Sequence, residues 1–238
     1  MILLIGKERT FIVKEGEKFS SQYGIVDLKK VKIGKKIKSS TGHEFIIAKP
    51  SIIDLLKKCR RMPQIIMPKD AASIISITGI EENWKILDAG SGSGFLSLFL
   101  GSFLKSGKVY TYEKNEKFAE NVKKNVELCG LEKIITVYNK DILKGFKEKN
   151  LDMATLDMIY AEKMVKKVHS ALKPGGWIVI YSPHIEQQKK VREEMEKLFY
   201  GIKTIENIQR SWQVSEYTHP KPSGIMHTGF LTFGRKGL

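Results

Sequence analysis

The segment Lys85-Ile86-Leu87-Asp88-Ala89-Gly90-Ser91-Gly92-Ser93-Gly94-Phe95 narrows the choice of fold more than any other stretch of the chain. An apolar strand ends on an acid, glycines follow at three alternate positions, and an apolar run resumes at Phe95. Glycines so placed let the backbone pass close under a ligand at the carboxyl end of a strand, where open α/β sheets bind nucleotides. The spacing G-x-G-x-G fails the G-x-G-x-x-G dinucleotide pattern, and the G-K-[ST] of a phosphate-binding P-loop is absent. With no pyrophosphate to cradle, Asp88 reads as an acceptor for a cationic or hydroxyl-bearing ligand.

The pattern after Gly79 agrees with such a sheet. Strands are predicted at Trp84–Leu87, Lys108–Tyr112, Ile134–Tyr138, Met153–Leu156 and Trp177–Tyr181, with helices from Phe95, over Lys117–Leu128 and over Glu162–Leu172. A last helix, Ile185–Phe199, and two late strands around Ile202–Ile208 and Thr228–Phe233 follow. Strands alternating with helices predict an α/β, doubly wound, mostly parallel sheet covered on both faces. Residues 1–50 read differently, as short β-branched runs between turn-rich polar stretches, which predicts a small all-β domain. The pattern changes at Pro50, so residues 51–238 are assigned to the main domain, with a helix opening at Pro68-Lys69-Asp70 and closing at Gly79.

Composition narrows the class. The 238 residues are 42% hydrophobic and 28% charged, with 20 glycines, 7 prolines and 2 cysteines, which excludes a disordered chain, a collagen and a disulfide framework. Cys59 and Cys129 have no metal-like spacing and read as idle thiols of a reducing cytosol. The net charge of +15 is uneven: residues 1–63 hold 15 basic and 6 acidic residues, which makes +9. Such a field attracts polyanions. The lysines of Lys29–Lys38 crowd around Gly34 as a candidate phosphate-contacting patch. With no signal peptide and no apolar run of about 20 residues, a cytoplasmic protein without membrane contact is expected.

Two more acids follow the first. The strand ending in Tyr112 delivers Glu113, and the next delivers Asp141, to the carboxyl edge where Asp88 also lies. An acid at the end of the second strand can take both hydroxyls of a ribose. Three successive strands delivering carboxylates beside a glycine-rich turn are more specific than any one of them.

These residues carry a resemblance. DAGSGSG, YEKN and NKDI, with Lys173-Pro174-Gly175-Gly176 before the strand WIVIYSP, are similar to the motifs of class I S-adenosylmethionine-dependent methyltransferases. The resemblance implies S-adenosyl-L-methionine as cofactor. Asp88, Gly90, Ser91, Gly92, Ser93, Gly94 and Phe95 would lie along it, Glu113 with Lys114 at the ribose and Asp141 at the adenine. The flanks Gln64–Ile80, Asp157, Tyr181–Gln187 and His227–Phe230 resemble the tRNA adenine-N1 methyltransferase family, which acts at T-loop position 58 and, in archaea, also 57. That likeness covers nearly the whole chain and implies a homotetramer, a tRNA partner, and Gln64 and Asp157 beside the cofactor. The chain departs from the family at Met67, where an aromatic is usual, at Met158-Ile159 in place of Leu-Pro, and at Lys221-Pro222 in place of Arg-Pro.

Methyl transfer to N1 of adenine needs alignment more than covalent help. Positive charge develops on the ring, so a carboxylate accepting from the exocyclic amine binds the transition state better than the ground state, and Asp157 is the candidate. A T-loop base is buried in folded tRNA and must be extracted, with Met67 and Tyr160 as candidate walls and His227 and Thr228 lining the pocket by family likeness. Arg60 and Arg61 would hold phosphates, as would Lys35 and Lys36. Rival readings are a class I methyltransferase acting on another acceptor (small molecule, protein or other RNA) and a non-catalytic RNA-binding subunit. An N6-adenine enzyme needs two prolines after the acid, and a cytosine-C5 enzyme needs a cysteine beside the base.

Overall fold

The computed structural model describes residues 1–62, 65–222, 224 and 226–238. Two units emerge, Met1–Cys59 and Arg60–Leu238.

In the first unit the short apolar runs become strands β1 (Ile2–Ile5), β2 (Thr10–Val13), β3 (Lys18–Ser21), β4 (Gly24–Asp27), β5 (Lys36–Lys38) and β6 (Glu44–Ala48). The antiparallel sheet has the order β2-β1-β6-β5, and β3 pairs with β4 as a separate hairpin. Alternation sets the faces: Phe45 and Ile47 of β6 turn inward with Leu4, Val13, Val26 and Leu28, while Ile46 between them is exposed. Helix α1 (Ile52–Leu56) follows, its start fixed by a capping box in which the Ser51 N–H donates to the Asp54 carboxylate and the Asp54 N–H donates to the Ser51 hydroxyl. The unit therefore ends at Cys59 and not at the change of pattern at Pro50, because Leu56 and Cys59 are buried, with Asp54 and Lys57 beside Leu3 and Phe11 of the sheet.

In the second unit the strands are β7 (Lys85–Ala89), β8 (Lys108–Glu113), β9 (Ile135–Asn139), β10 (Leu151–Leu156), β11 (Leu172–Ser182), β12 (Phe199–Glu206) and, after a small hairpin of β13 (Trp212–Gln213) and β14 (His219–Pro220), β15 (Phe230–Lys236). Seven of them form one sheet in the order β12-β15-β11-β10-β7-β8-β9, in which β15 alone runs antiparallel to its neighbours. The expected doubly wound, mostly parallel architecture is what forms. The chain winds outward from β7 through β8 to β9, then crosses back to β10 on the other side of β7. The crevice between the carboxyl ends of β7 and β10 is thus the topological switch point, where ligands bind in such sheets.

The helices are α2 (Pro68–Thr78), α3 (Phe95–Gly101), α4 (Glu116–Cys129), α5 (Val165–Ala171) and α6 (Ile185–Met195). Their ends follow local chemistry: Asn115 caps α4, and Gly79 and Gly130 close α2 and α4 in the left-handed conformation. Leu87 and Ala89 face one cluster with Leu156, Ile178, Ile180, Met164, Val168 and Met195 under α5 and α6. Asp88, between them, faces the other way, toward α3.

Several boundaries differ from expectation, among them the two late strands, which run Phe199–Glu206 and Phe230–Lys236. The helix expected at Glu162–Leu172 begins as a single 3-10 turn, Ala161–Met164, before α5. The last helix stops at Met195, because Phe199 already pairs with Lys236. The Lys173–Gly176 segment is drawn into β11, with an irregular step in its register to β10. The β13–β14 hairpin, too short for any periodicity, was invisible in the pattern.

No helix among the described residues is long and apolar enough to cross a membrane.

Candidate active site

The glycine-rich turn after β7 has φ values of +85° at Gly90, +53° at Gly92 and +77° at Gly94, all in the region that favours glycine. A side-chain carbon at Gly90 would overlap the backbone carbonyl of Asp157, and one at Gly94 would come 2.8 Å from a Val122 methyl carbon. Two of the three glycines are thus required by the protein's own packing. The turn is tied down further: the Ser93 hydroxyl accepts from the Met62 N–H at 2.6 Å, and Ser91 bonds to the hydroxyl of Thr111.

Asp88 lines a small space beside the glycine turn together with Asp157, and the fold also uses it internally. It is buried, and its carboxylate accepts from the hydroxyls of Thr111 (2.8 Å), Thr155 (2.6 Å) and Ser97. Thr111 of β8 and Thr155 of β10 stand directly opposite it in register, one on each side, and Ser97 comes from α3. Asp88 is a tie between two neighbouring strands and the helix after the turn.

Glu113 lies at the edge as expected. One carboxylate oxygen accepts from the Gly92 N–H at 2.9 Å and the other from the Asn115 N–H at 2.9 Å. A carboxylate has about four acceptor sites, so each oxygen can still accept from one hydroxyl of a vicinal diol. Asp141 caps the turn Ile142–Lys144 through the Leu143 N–H. Lys114 is exposed, and its carbonyl accepts from Asn139. Phe95 opens α3 and is buried under the Arg61 guanidinium, 5.7 Å from its ring centroid.

Asp157 follows β10 across the switch point, its N–H donating to the Ala89 carbonyl at 2.8 Å. It borders a space of about 20 Å³ shared with Ile65, Ile66, Gly90 and Ser91. Desolvation there, followed by the Asp88 charge, raises its carboxyl to about 7. A carboxyl so poised beside a glycine turn is a mark of a functional site.

Residues 56–225 match the family described as the tRNA methyltransferase complex GCD14 subunit. The chain belongs to that family. It is 34% identical to the tRNA (adenine(57)-N(1)/adenine(58)-N(1))-methyltransferase TrmI of Methanocaldococcus jannaschii, over 96% of this chain and 91% of the relative. Among solved structures it is similar to an S-adenosylmethionine-dependent O-methyltransferase of Thermotoga maritima, with a TM-score of 0.84 and 31% identity over 100% of this chain and 92% of that one. It is also similar to the tRNA (m1A58) methyltransferase TrmI of Aquifex aeolicus, with a TM-score of 0.80 and 26% identity over 99% and 96%. The likenesses cover both units, and the fold is that of class I S-adenosylmethionine-dependent methyltransferases.

In this GCD14-family chain the residues expected from the sequence to meet the acceptor differ in their surroundings. Tyr160, three residues past Asp157, is half exposed and holds a left-handed backbone (φ 66°), with the Lys163 ammonium 4.2 Å from its ring centroid. Apart from Asn150 it is the sole non-glycine with positive φ among the described residues, and strain of this kind persists where the surroundings impose it. Met67, partly exposed, precedes α2 without a side-chain cap. His227 faces two acceptors, the Glu206 carboxylate at 2.5 Å and the Pro183 carbonyl at 3.2 Å. Glu206 first and Pro183 second hold its imidazolium above the usual histidine range. Arg60 is anchored by its backbone to Asn121 and Asn125 of α4, and its side chain is exposed. Lys35 and Lys36 are exposed on the first unit, where Lys36 pairs with Glu44 at 3.2 Å. Gln64 lies outside the described residues.

One cluster escaped the sequence reading. Asp70, fully buried in the first turn of α2, accepts from Lys69 (3.0 and 3.1 Å), Asn207 (2.9 Å) and Thr228 (2.8 Å). The Lys69 ammonium also donates to the Asn207 carbonyl and the Thr228 hydroxyl, and the Tyr181 hydroxyl donates to the Thr228 carbonyl. Burial, then Asp157 and Asp70, raise the Tyr181 hydroxyl to about 12, so it stays a neutral donor between the two acids. Pro68-Lys69-Asp70 signalled a helix start and nothing more, because its partners lie at positions 207 and 228.

Proposed function

We propose that this protein transfers a methyl group from S-adenosyl-L-methionine to N1 of adenine in the T-loop of tRNA, at position 58 and also 57, as a cytoplasmic homo-oligomer. The observation that carries the reading is Asp157: a carboxyl titrating near neutrality, set at the switch point against the glycine turn, in a chain whose whole length resembles TrmI enzymes. The cofactor fits the residues present. Gly90, Gly92 and Gly94 leave the turn free of side chains, with Ser91, Ser93 and Phe95 beside it; Glu113 has acceptor capacity for a ribose diol; Asp141 with Lys114 would flank the adenine. Asp88, which borders the same space, would lie beside the cofactor while tying the turn in place. When bound, S-adenosyl-L-methionine supplies an electrophilic methyl on a sulfonium.

Held by the glycine turn and Glu113, the cofactor would supply its methyl group to the N1 lone pair, and the base would gain a full positive charge. Ionised Asp157 would accept from the exocyclic amine, whose acidity rises as that charge develops, and would hold N1 in line. Tyr181, kept protonated, would hold the Thr228 carbonyl in place. Tyr160 and Met67 would supply apolar walls for the extracted base, and His227 the rim. Arg60, Arg61, Lys35 and Lys36 would hold tRNA phosphates, a role that salt should weaken.

Methyl transfer to unmodified tRNA transcripts, read by mass spectrometry of nucleosides, tests the reading. Appearance of 1-methyladenosine, lost when the T-loop adenines are replaced, is expected. Cofactor binding with methylation of a different acceptor would overturn it.

A further inference from the structure

A cavity of about 530 Å³ opens in the first unit, within the size range of small-ligand sites. Gly6 packs against the buried ring of Phe45 beneath it, where a side-chain carbon would come 2.9 Å from the ring. Tyr23 packs edge-on against Phe45, with ring centroids 6.3 Å apart, and the exposed His43 ring meets Tyr23 at 5.1 Å. The cross-strand pair Ile5 and Ile46 forms an exposed apolar wall. The lip is the β1–β2 turn, closed by the Gly6 N–H donating to the Arg9 carbonyl at 3.0 Å.

The polar groups are arranged unequally. Glu8 already accepts from the Tyr23 hydroxyl at 2.9 Å, and Glu44 faces Lys36 and Lys38 at 3.2 and 3.6 Å. Lys7 and Arg9, on the lip, have no carboxylate within ion-pair distance among the described residues. The cavity thus offers aromatic and apolar walls for a flat ring, two unpaired cations for an anion, and carboxylates with lone pairs left for ring N–H groups. A nucleotide has these three features, and single-stranded nucleic acid is held by the same combination of stacking and basic groups.

We infer that this cavity is a subsite for one unpaired nucleotide of the RNA substrate, with its base against His43, Tyr23 and Ile46 and its phosphate on Lys7 and Arg9. The inference rests on the tRNA reading above and adds a contact by the first unit to a nucleotide other than the methylated one.

The test uses the full chain, an unmodified tRNA transcript, and the exposed-residue variants Arg9→Ala, His43→Ala and His43→Phe. Arg9→Ala and His43→Ala should each raise the KM for tRNA roughly tenfold, the lower part of the range for one stacked base, leaving kcat, cofactor affinity and thermal unfolding unchanged. His43→Phe should restore most of the affinity. Arg9→Ala should also reduce the salt slope of binding by about one contact, whereas His43→Ala should leave the slope alone. Wild-type methylation of tRNA with an unchanged KM in both alanine variants would overturn the subsite and leave the tRNA reading standing. Saturable binding of adenosine monophosphate in the cavity with that same unchanged KM would also overturn it, in favour of a free nucleotide. No tRNA binding by the wild type would overturn both.

Discussion

Gly90 and Asp157 meet backbone to backbone: a side-chain carbon at Gly90 would overlap the Asp157 carbonyl oxygen, and the Asp157 N–H donates to Ala89 at 2.8 Å. The glycine turn and the acid, on which the proposed cofactor and base sites both rest, are therefore one rigid unit. Any shift in one moves the other.

Gly90→Ala tests that coupling. The left-handed backbone at φ +85° costs a residue with a side chain about 1–2 kcal/mol, and the overlap adds to it. The expected result is a lowered Tm and a methyl-transfer rate down at least about 100-fold, the scale of an ångström-sized misplacement. A variant with normal rate would mean that the two strand ends move independently.

Asp157 should write its titration into the pH profile. Its carboxyl ionises at about 7, and in the proposed mechanism the carboxylate is the form that would accept from the amine, so kcat/KM should rise from pH 6 to 8. Asp157→Asn should flatten that limb, lower the rate by about 100-fold or more, and retain cofactor binding measured by calorimetry. A profile that still rises in the Asn variant would assign the titration to another group.

The same shift has the opposite effect on stability. The unfolded carboxyl ionises at 3.8 and the folded one at about 7. Between these values the folded state binds the extra proton, so stability falls as pH rises and stays lower above 7. Asp157→Asn should therefore be the more stable protein at pH 8, by up to about 4 kcal/mol at 1.36 kcal/mol per unit, with no advantage at pH 4. Denaturant unfolding at the two pH values measures the crossover.

Asp88→Asn should move the activity profile through Asp157. Its charge helps raise the Asp157 carboxyl, so the neutral amide should shift the acid limb to lower pH. The three surrounding hydroxyls can turn to accept as well as donate, so the fold should lose only about 1–2 kcal/mol. An unmoved limb with unchanged stability would remove Asp88 from the electrostatics of the site.

Removing Asp70 should be costlier. Its carboxylate is fully buried and the Lys69 side chain is 15% exposed, so Asp70→Ala leaves an ammonium without its counter-ion. The expected loss is about 3–5 kcal/mol, read by chemical denaturation. Lys69→Met with Asp70→Leu together should recover part of that loss, while the methyl-transfer rate stays low because Thr228 and Tyr181 lose their tie to α2.

Local chemistry sufficed for the alternation of strands and helices that marks a doubly wound sheet, the glycine turn, the ends of α2 and α4, and the place of Glu113 and Asp157 at strand ends. Those features depend on periodicity and backbone freedom, which neighbouring residues set among themselves. The direction in which Asp88 points, the Lys69–Asp70–Thr228–Asn207 cluster and the cavity behind Gly6 had no such signal. Thr111 and Thr155 reach Asp88 because three strands fall into one register, and Asp70 meets positions 207 and 228 because the chain returns there after the sheet is complete. A buried charge takes its partners from whatever the fold brings within about 3 Å, and that distance is decided between segments far apart in the chain.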